Sequence, residues 1–172
     1  MINLVKNAFL RRFLNFRLKM IARQERAYNF SEELKKVRKI LVILPSDQEY
    51  SQPIQEFVQK LGAKFSKARV STFVNSTLRK SDLSWMGLPN EQYLKIIRDE
   101  SFDLVVDANT EQDQICTYLC ALSGAPMRLN VSSGMYDSIY NLHFRSSSAK
   151  NINEKLDNVI AYLTFLAKNK QE

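Results

Sequence analysis

Two short acidic loops carry the side-chain types that catalysis or ligand binding would use. Pro45-Ser46-Asp47-Gln48-Glu49 follows the apolar run Ile40–Leu44, and Asp107-Ala108-Asn109-Thr110-Glu111 follows DLVVD, Asp103–Asp107. An aspartate so placed can act as general base on a hydroxyl, and neighbouring serine and asparagine side chains can hold a polar ligand. Asp47 is the candidate base; Ser46, Asp107 and Asn109 are the candidate ligand contacts. Neither loop contains glycine, and the four glycines at 62, 87, 124 and 134 match neither G-x-G-x-x-G nor a P-loop. A backbone phosphate cradle is therefore not expected. The same loops have a structural reading. Ser46-x-x-Glu49 and Thr110-x-x-Asp113 each match a capping box, and Asp107 can accept hydrogen bonds from its own loop. Asp47 has no such local duty.

Other reactive residue types are sparse. Cys116 and Cys120 lie four apart on a segment that also buries Ile115 and Leu119. Without a second cysteine pair they read as core packing, and neither a metal nor a cofactor is expected. His143 is the only histidine, flanked by Leu142 and Phe144 in an apparent strand. No G-x-S-x-G accompanies it, so a hydrolase triad is set aside.

The elements that must position these residues alternate from Lys39 onward. Ile40–Leu44, Val70–Val74, Asp103–Asp107 and Met127–Val131 read as short buried strands, and Ser138–Phe144 as a further one. Ile54, Phe57, Val58 and Leu61 share one face of a helix that Gly62 can stop. Pro89 and Asn90 introduce a helix running to about Glu100. Another begins near Glu111 and ends at Ser123-Gly124, and the last spans about Ile152–Lys168. Apolar strands alternating with amphipathic helices predict an α/β domain with one doubly wound, mostly parallel Rossmann-like sheet covered on both faces. In such sheets ligands bind beyond the carboxyl ends of the strands, where both acidic loops lie.

The chain has 172 residues, the size of one domain, with no internal repeat. Its net charge of +7 is confined to one end. Residues 1–39 hold eleven Lys/Arg and three Asp/Glu, or +8; the remainder holds 14 and 15, or −1. The organisation expected is a basic helical arm, 1–38, and a Rossmann-like domain, 39–172. On a helix, Ile2, Val5, Phe9, Phe13, Phe16 and Met20 form an apolar stripe, while Arg12, Lys19, Arg23 and Arg26 line the opposite face. Such a helix can lie on an anionic membrane surface or dock on a protein, with those four cations as the surface-binding residues. The bland alternative is that the stripe packs on the sheet or on the last helix. Nucleic acid ranks lower, because the body adds no basic groove or aromatic platform. Two cysteines, no secretory signal and no membrane-length apolar run predict a cytoplasmic protein, peripheral on the inner membrane face if the arm attaches there.

RKILVILPSDQEYSQPIQEFVQKLG, FDLVVDAN and YLCALSGAPMRLNV, over roughly Arg38–Val131, resemble the amino-terminal half of the heptosyltransferase-like glycosyltransferases (glycosyltransferase family nine). That resemblance implies that Asp47, followed six residues later by Pro53, corresponds to the family's general base on the acceptor sugar; Ser46 replaces the family's glycine. Family members carry a second half that binds the nucleotide sugar, and the chain ends after one. The chain is also similar, over nearly its whole length, to small uncharacterised single-domain bacterial proteins. These share a basic amino-terminal helix, D-L-x-W-x-G-x-P (here Asp82–Pro89) and A-L-S-x-A; the likeness implies a shared fold and brings no activity. The expected function is a non-catalytic binding or adaptor module attached by residues 1–30, its small-molecule ligand unknown. The alternatives are half of a split glycosyltransferase using Asp47, and a ribosome- or RNA-associated protein.

Overall fold

The computed structural model describes residues 29–46, 51–145 and 151–168, together with Arg12, Phe13, Phe16 and Met20. Among these residues five strands, β1 (Lys39–Leu44), β2 (Arg69–Val74), β3 (Leu104–Asp107), β4 (Met127–Asn130) and β5 (Leu142–His143), form one all-parallel sheet in the order β2-β1-β3-β4-β5. The helices are α1 (Phe30–Lys36), α2 (Ser51–Lys64), α3 (Glu91–Asp99), α4 (Gln114–Leu122) and α5 (Ile152–Lys168). The doubly wound, Rossmann-like α/β architecture is thus the one that the alternation predicts. An order that runs outward from β1 in both directions has its switch point between β1 and β3.

Strand alternation divides the core into two layers. Ile40, Val42, Leu104, Val106, Met127 and Leu129 face α1, α2 and α5, packing with Leu34, Phe57, Leu61, Leu156, Val159 and Leu163. Leu41, Ile43, Phe73 and Val105 face α3 and α4, with Leu94, Ile97, Cys116, Leu119 and Cys120. In the interior strands Ile40–Ile43 of β1 and Leu104–Val106 of β3 are apolar on both sides because helices cover both.

Three local expectations are corrected. Gly62 does not stop α2, which continues to Lys64; Gly62 lies outside the left-handed region that a stop of that kind uses. The helix after β3 begins at Gln114, and its N-cap is Asp113, whose carboxylate accepts the Cys116 N–H at 2.8 Å. Thr110 is exposed and four residues upstream, so the Thr110-x-x-Asp113 box is not formed. Ser138–Phe144 is not one strand: Asp137–Ile139 is a 3-10 turn, and only Leu142–His143 pairs with β4. The Ile139 and Tyr140 N–H groups bond back to Tyr136 and Asp137, and the Ile139 carbonyl accepts from the Arg128 guanidinium at 2.8 Å. Those backbone groups are therefore taken by the turn and by a side chain before a strand can use them.

Candidate functional site

The register places the candidate residues at adjacent strand ends. Ile43 of β1 is level with Asp107 of β3, and the Ala108 N–H bonds to the Ile43 carbonyl at 2.9 Å. Pro45-Ser46 leaves β1 directly beside the point where Ala108-Asn109 leaves β3. Ser46 is exposed. Asp47 lies outside the described residues.

Asp107 is fully buried, on the α3/α4 side of the sheet by strand alternation. The Tyr140 hydroxyl donates to its Oδ2 at 2.5 Å, and the Asn109 side-chain amide and backbone N–H donate to Oδ1 at 2.7 and 3.2 Å. The Thr117 hydroxyl stands 3.3 Å from the Tyr140 oxygen; with the Tyr140 proton committed to Asp107, Thr117 is the donor. Burial drives the Asp107 carboxyl above its ordinary range, partly opposed by the bonds from Tyr140 and Asn109. The phenol of Tyr140 is pushed up too, first by burial and then by the nearby Asp107 charge. This is a closed polar cluster in which each partner satisfies the next. Sequence reasoning found Asp107 and Asn109 but missed Thr117 and Tyr140.

A second cluster borders solvent at the ends of β4 and β5. Asp137 accepts from the side chains of Gln112 (2.7 Å) and Asn130 (3.3 Å) and from the Gly134 N–H (3.1 Å), and pairs with Arg145 at 3.3 Å. Burial pushes its carboxyl up, but the bonds from Asn130 and Gly134 and the Arg145 charge outweigh that and hold it below the usual range. Arg145 also donates to Asn130 Oδ1 at 2.9 Å and stands 3.2 Å from His143 Nδ1. His143 Nδ1 also lies 3.1 Å from Asn130 Oδ1, so the tautomer of the ring decides whether it donates to Asn130 or accepts from Arg145. MRLNV carried the signal for this cluster and for Arg128: two polar residues alternating with Met127 and Leu129 put polar groups on one face of an otherwise buried strand.

Arg128 is 7% exposed, donating from Nε to Ile139 and from Nη1 to the Ala125 carbonyl, both at 2.8 Å. It ties the α4–β4 loop to the turn before β5. Cys116 and Cys120 are buried in the core beside Leu119, and burial keeps both as thiols. Among the described residues no cluster of three or more metal-ligand side chains occurs.

An open depression of about 490 Å³ lies at the same edge, between the β3–α4 loop (Thr110, Gln112) and the β4–β5 connection (Ser133, Gly134, Met135). Asp107 and Asn109 do not line it. A Cβ at Gly134 would come within 2.3 Å of the Gln112 side chain, so a larger residue there would displace Gln112 from the Tyr136 N–H and Asp137.

Of the arm, Arg12 is exposed, whereas Lys19, Arg23 and Arg26 lie outside the described residues. Phe13 is half-buried against the core of the α3/α4 layer, while Phe16 and Met20 are 65% and 46% exposed. Among the described residues no helix is long and apolar enough to cross a membrane.

The order of the all-parallel sheet and the helices on both its faces define a doubly wound α/β domain of Rossmann type. The chain belongs to the family of unknown function DUF6913, whose profile matches residues 6–166. No curated protein matches it.

Proposed function

We propose that this chain is a non-catalytic binding module that attaches to an anionic membrane surface through its basic amino-terminal helix, residues 1–30. The observation that carries this reading is the state of Asp107. The carboxylate at the switch point, where a doubly wound sheet takes its ligand, is enclosed, with both oxygens bonded within the protein. Function then falls to a surface, and the charge of +8 on residues 1–39 against −1 on the remainder selects the arm. In this reading the resemblance to the acceptor half of heptosyltransferase-like glycosyltransferases is one of ancestry rather than activity.

Flotation of the full chain with vesicles containing anionic lipid tests the attachment. Reversing Arg12, Lys19, Arg23 and Arg26 to Glu is expected to weaken partition by ~100-fold or more, at roughly 1 kcal/mol per cation near the surface. Equal flotation of the two proteins removes the proposal. A nucleotide sugar that raises the melting temperature saturably would instead support a transferase half.

A further inference from the structure

The segment between β2 and α3 contains a feature used neither by the core nor by the strand-end clusters. Leu83 and Pro89 form an antiparallel bridge, the Ser84 N–H bonds to the Leu88 carbonyl at 2.7 Å, and the Gly87 N–H to the Ser84 carbonyl at 2.9 Å. Gly87 is left-handed, with φ +81°. This is a miniature hairpin whose three-residue loop, Trp85-Met86-Gly87, closes through a left-handed glycine. Its base is fixed by the Asn90 N–H to the Asp82 carbonyl at 2.8 Å and the Asn90 amide to the Ser81 carbonyl at 2.7 Å. Leu88 roots it in the α3/α4 core.

What this braced hairpin presents is Trp85, 74% exposed, the most exposed large apolar side chain among the described residues. Holding an indole in water forgoes its burial and packs nothing in the fold. The turn that leads into the hairpin, Arg79 to Asp82, carries two cations and one carboxylate, a net charge of +1. Arg79 and Lys80 are exposed and, among the described residues, pair with no carboxylate. Asp82 accepts from the Arg79 N–H at 2.8 Å and the Ser81 hydroxyl at 3.3 Å, and Glu91 is paired with Arg98. Phe13, from the basic segment, packs against the same core that holds Leu88.

We propose that the 83–89 hairpin is a membrane-insertion loop: Trp85 enters the interface of an anionic bilayer while Arg79 and Lys80 meet lipid phosphates. This rests on the proposed attachment of the arm and gives it a second, braced contact. Indole favours the headgroup boundary, where its ring is buried and its N–H stays wet. The cations add attraction to anionic lipid. A loop already fixed by its own hydrogen bonds loses little conformational freedom on insertion. A protein hot spot would ring the tryptophan with neutral contacts that exclude water; two exposed cations in the turn leading into the hairpin suit headgroups better.

Trp85 is the only tryptophan in the chain, so the full-length protein reports on itself. It is mixed with phosphatidylcholine vesicles, with and without phosphatidylglycerol, and each sample is read for emission, for quenching by brominated acyl chains and for flotation. The expected result is a blue shift and quenching on the anionic vesicles. Trp85→Ala should float ~10-fold less, and Arg79→Glu with Lys80→Glu about as much less, both with unchanged circular dichroism. Flotation without blue shift or quenching overturns the hairpin proposal and leaves the arm's attachment standing. No flotation of the unaltered chain overturns both. A blue shift that grows with protein concentration and needs no lipid assigns Trp85 to a second copy of the chain and overturns insertion.

Discussion

The two faces of the sheet are built on different physics. On the side of α1, α2 and α5, the strands present Ile40, Val42, Leu104, Val106, Met127 and Leu129 to helices that answer with Leu34, Phe57, Leu61 and Leu163. On the side of α3 and α4, Leu41, Ile43 and Val105 share their face with Asp107, Arg128 and Asn130, and every buried polar residue described falls between Asp107 and Ser132. The first face is held by area and close packing, which tolerate changes of partner but not of volume. The second is held partly by a fixed set of donors and acceptors, each with one acceptable arrangement. Both layers bury an apolar core, but the polar contacts that fix the strand ends lie on the second alone.

The largest effect expected from breaking this contrast lies on the hydrocarbon face. Phe57 is 1% exposed, and Phe57→Ala should lower the unfolding free energy by about 3–5 kcal/mol, read from the urea midpoint at constant slope. Tyr140→Phe on the other face removes no packing volume beyond one hydroxyl but takes a donor from buried Asp107 and the partner of Thr117. It should cost about 1–3 kcal/mol in the same measurement. A loss as large as that of Phe57→Ala would mean that the polar cluster rather than the apolar layer dominates.

The pH dependence gives the smallest and sharpest comparison. Folding raises the Asp107 pKa, chiefly through burial, above the ~3.9 of an unfolded aspartate. Below that value both states hold the proton and the contribution to stability is full. As pH rises from there, the unfolded chain ionises first, and stability is lost until the folded carboxyl ionises too. Asp137 has the opposite sign: its folded pKa is depressed, so its contribution is present above the unfolded value and is lost as pH falls through the folded one. The difference between the parent chain and Asp107→Asn, measured by urea unfolding at each pH, isolates the first slope. Asp107→Asn should therefore gain on the parent as pH rises above ~4. A difference that is flat across that range contradicts the burial account.

Much of the fold is legible from local pattern. Ile152, Leu156, Val159, Ile160, Leu163 and Leu166 trace one stripe, and the helix they predict spans the expected Ile152–Lys168. ILVIL, Ile40–Leu44, has no polar position and becomes a strand covered on both sides. The strand ends are less legible. Asp113 displaced Thr110 as cap because both are residue types that cap helices, and only the start of the helix decides which one faces a free N–H. The pattern in Ser138–Phe144 suits a strand, but Arg128 reaches across to take the Ile139 carbonyl.

From sequence alone came the kinds of element, the hydrocarbon that seals them, and the confinement of positive charge to residues 1–39, because period and composition are properties of neighbours along the chain. Only the tertiary structure decided that Asp107 meets Tyr140, 33 residues away, and that the strand-end acid is enclosed. It also decided that Trp85, in a string as apolar as many core segments, stands in water. The reason is physical. Strand order and the path of each connection set which distant groups share a low-dielectric space, and whether a polar atom there is satisfied or a ring is covered depends on those partners and not on its own neighbours.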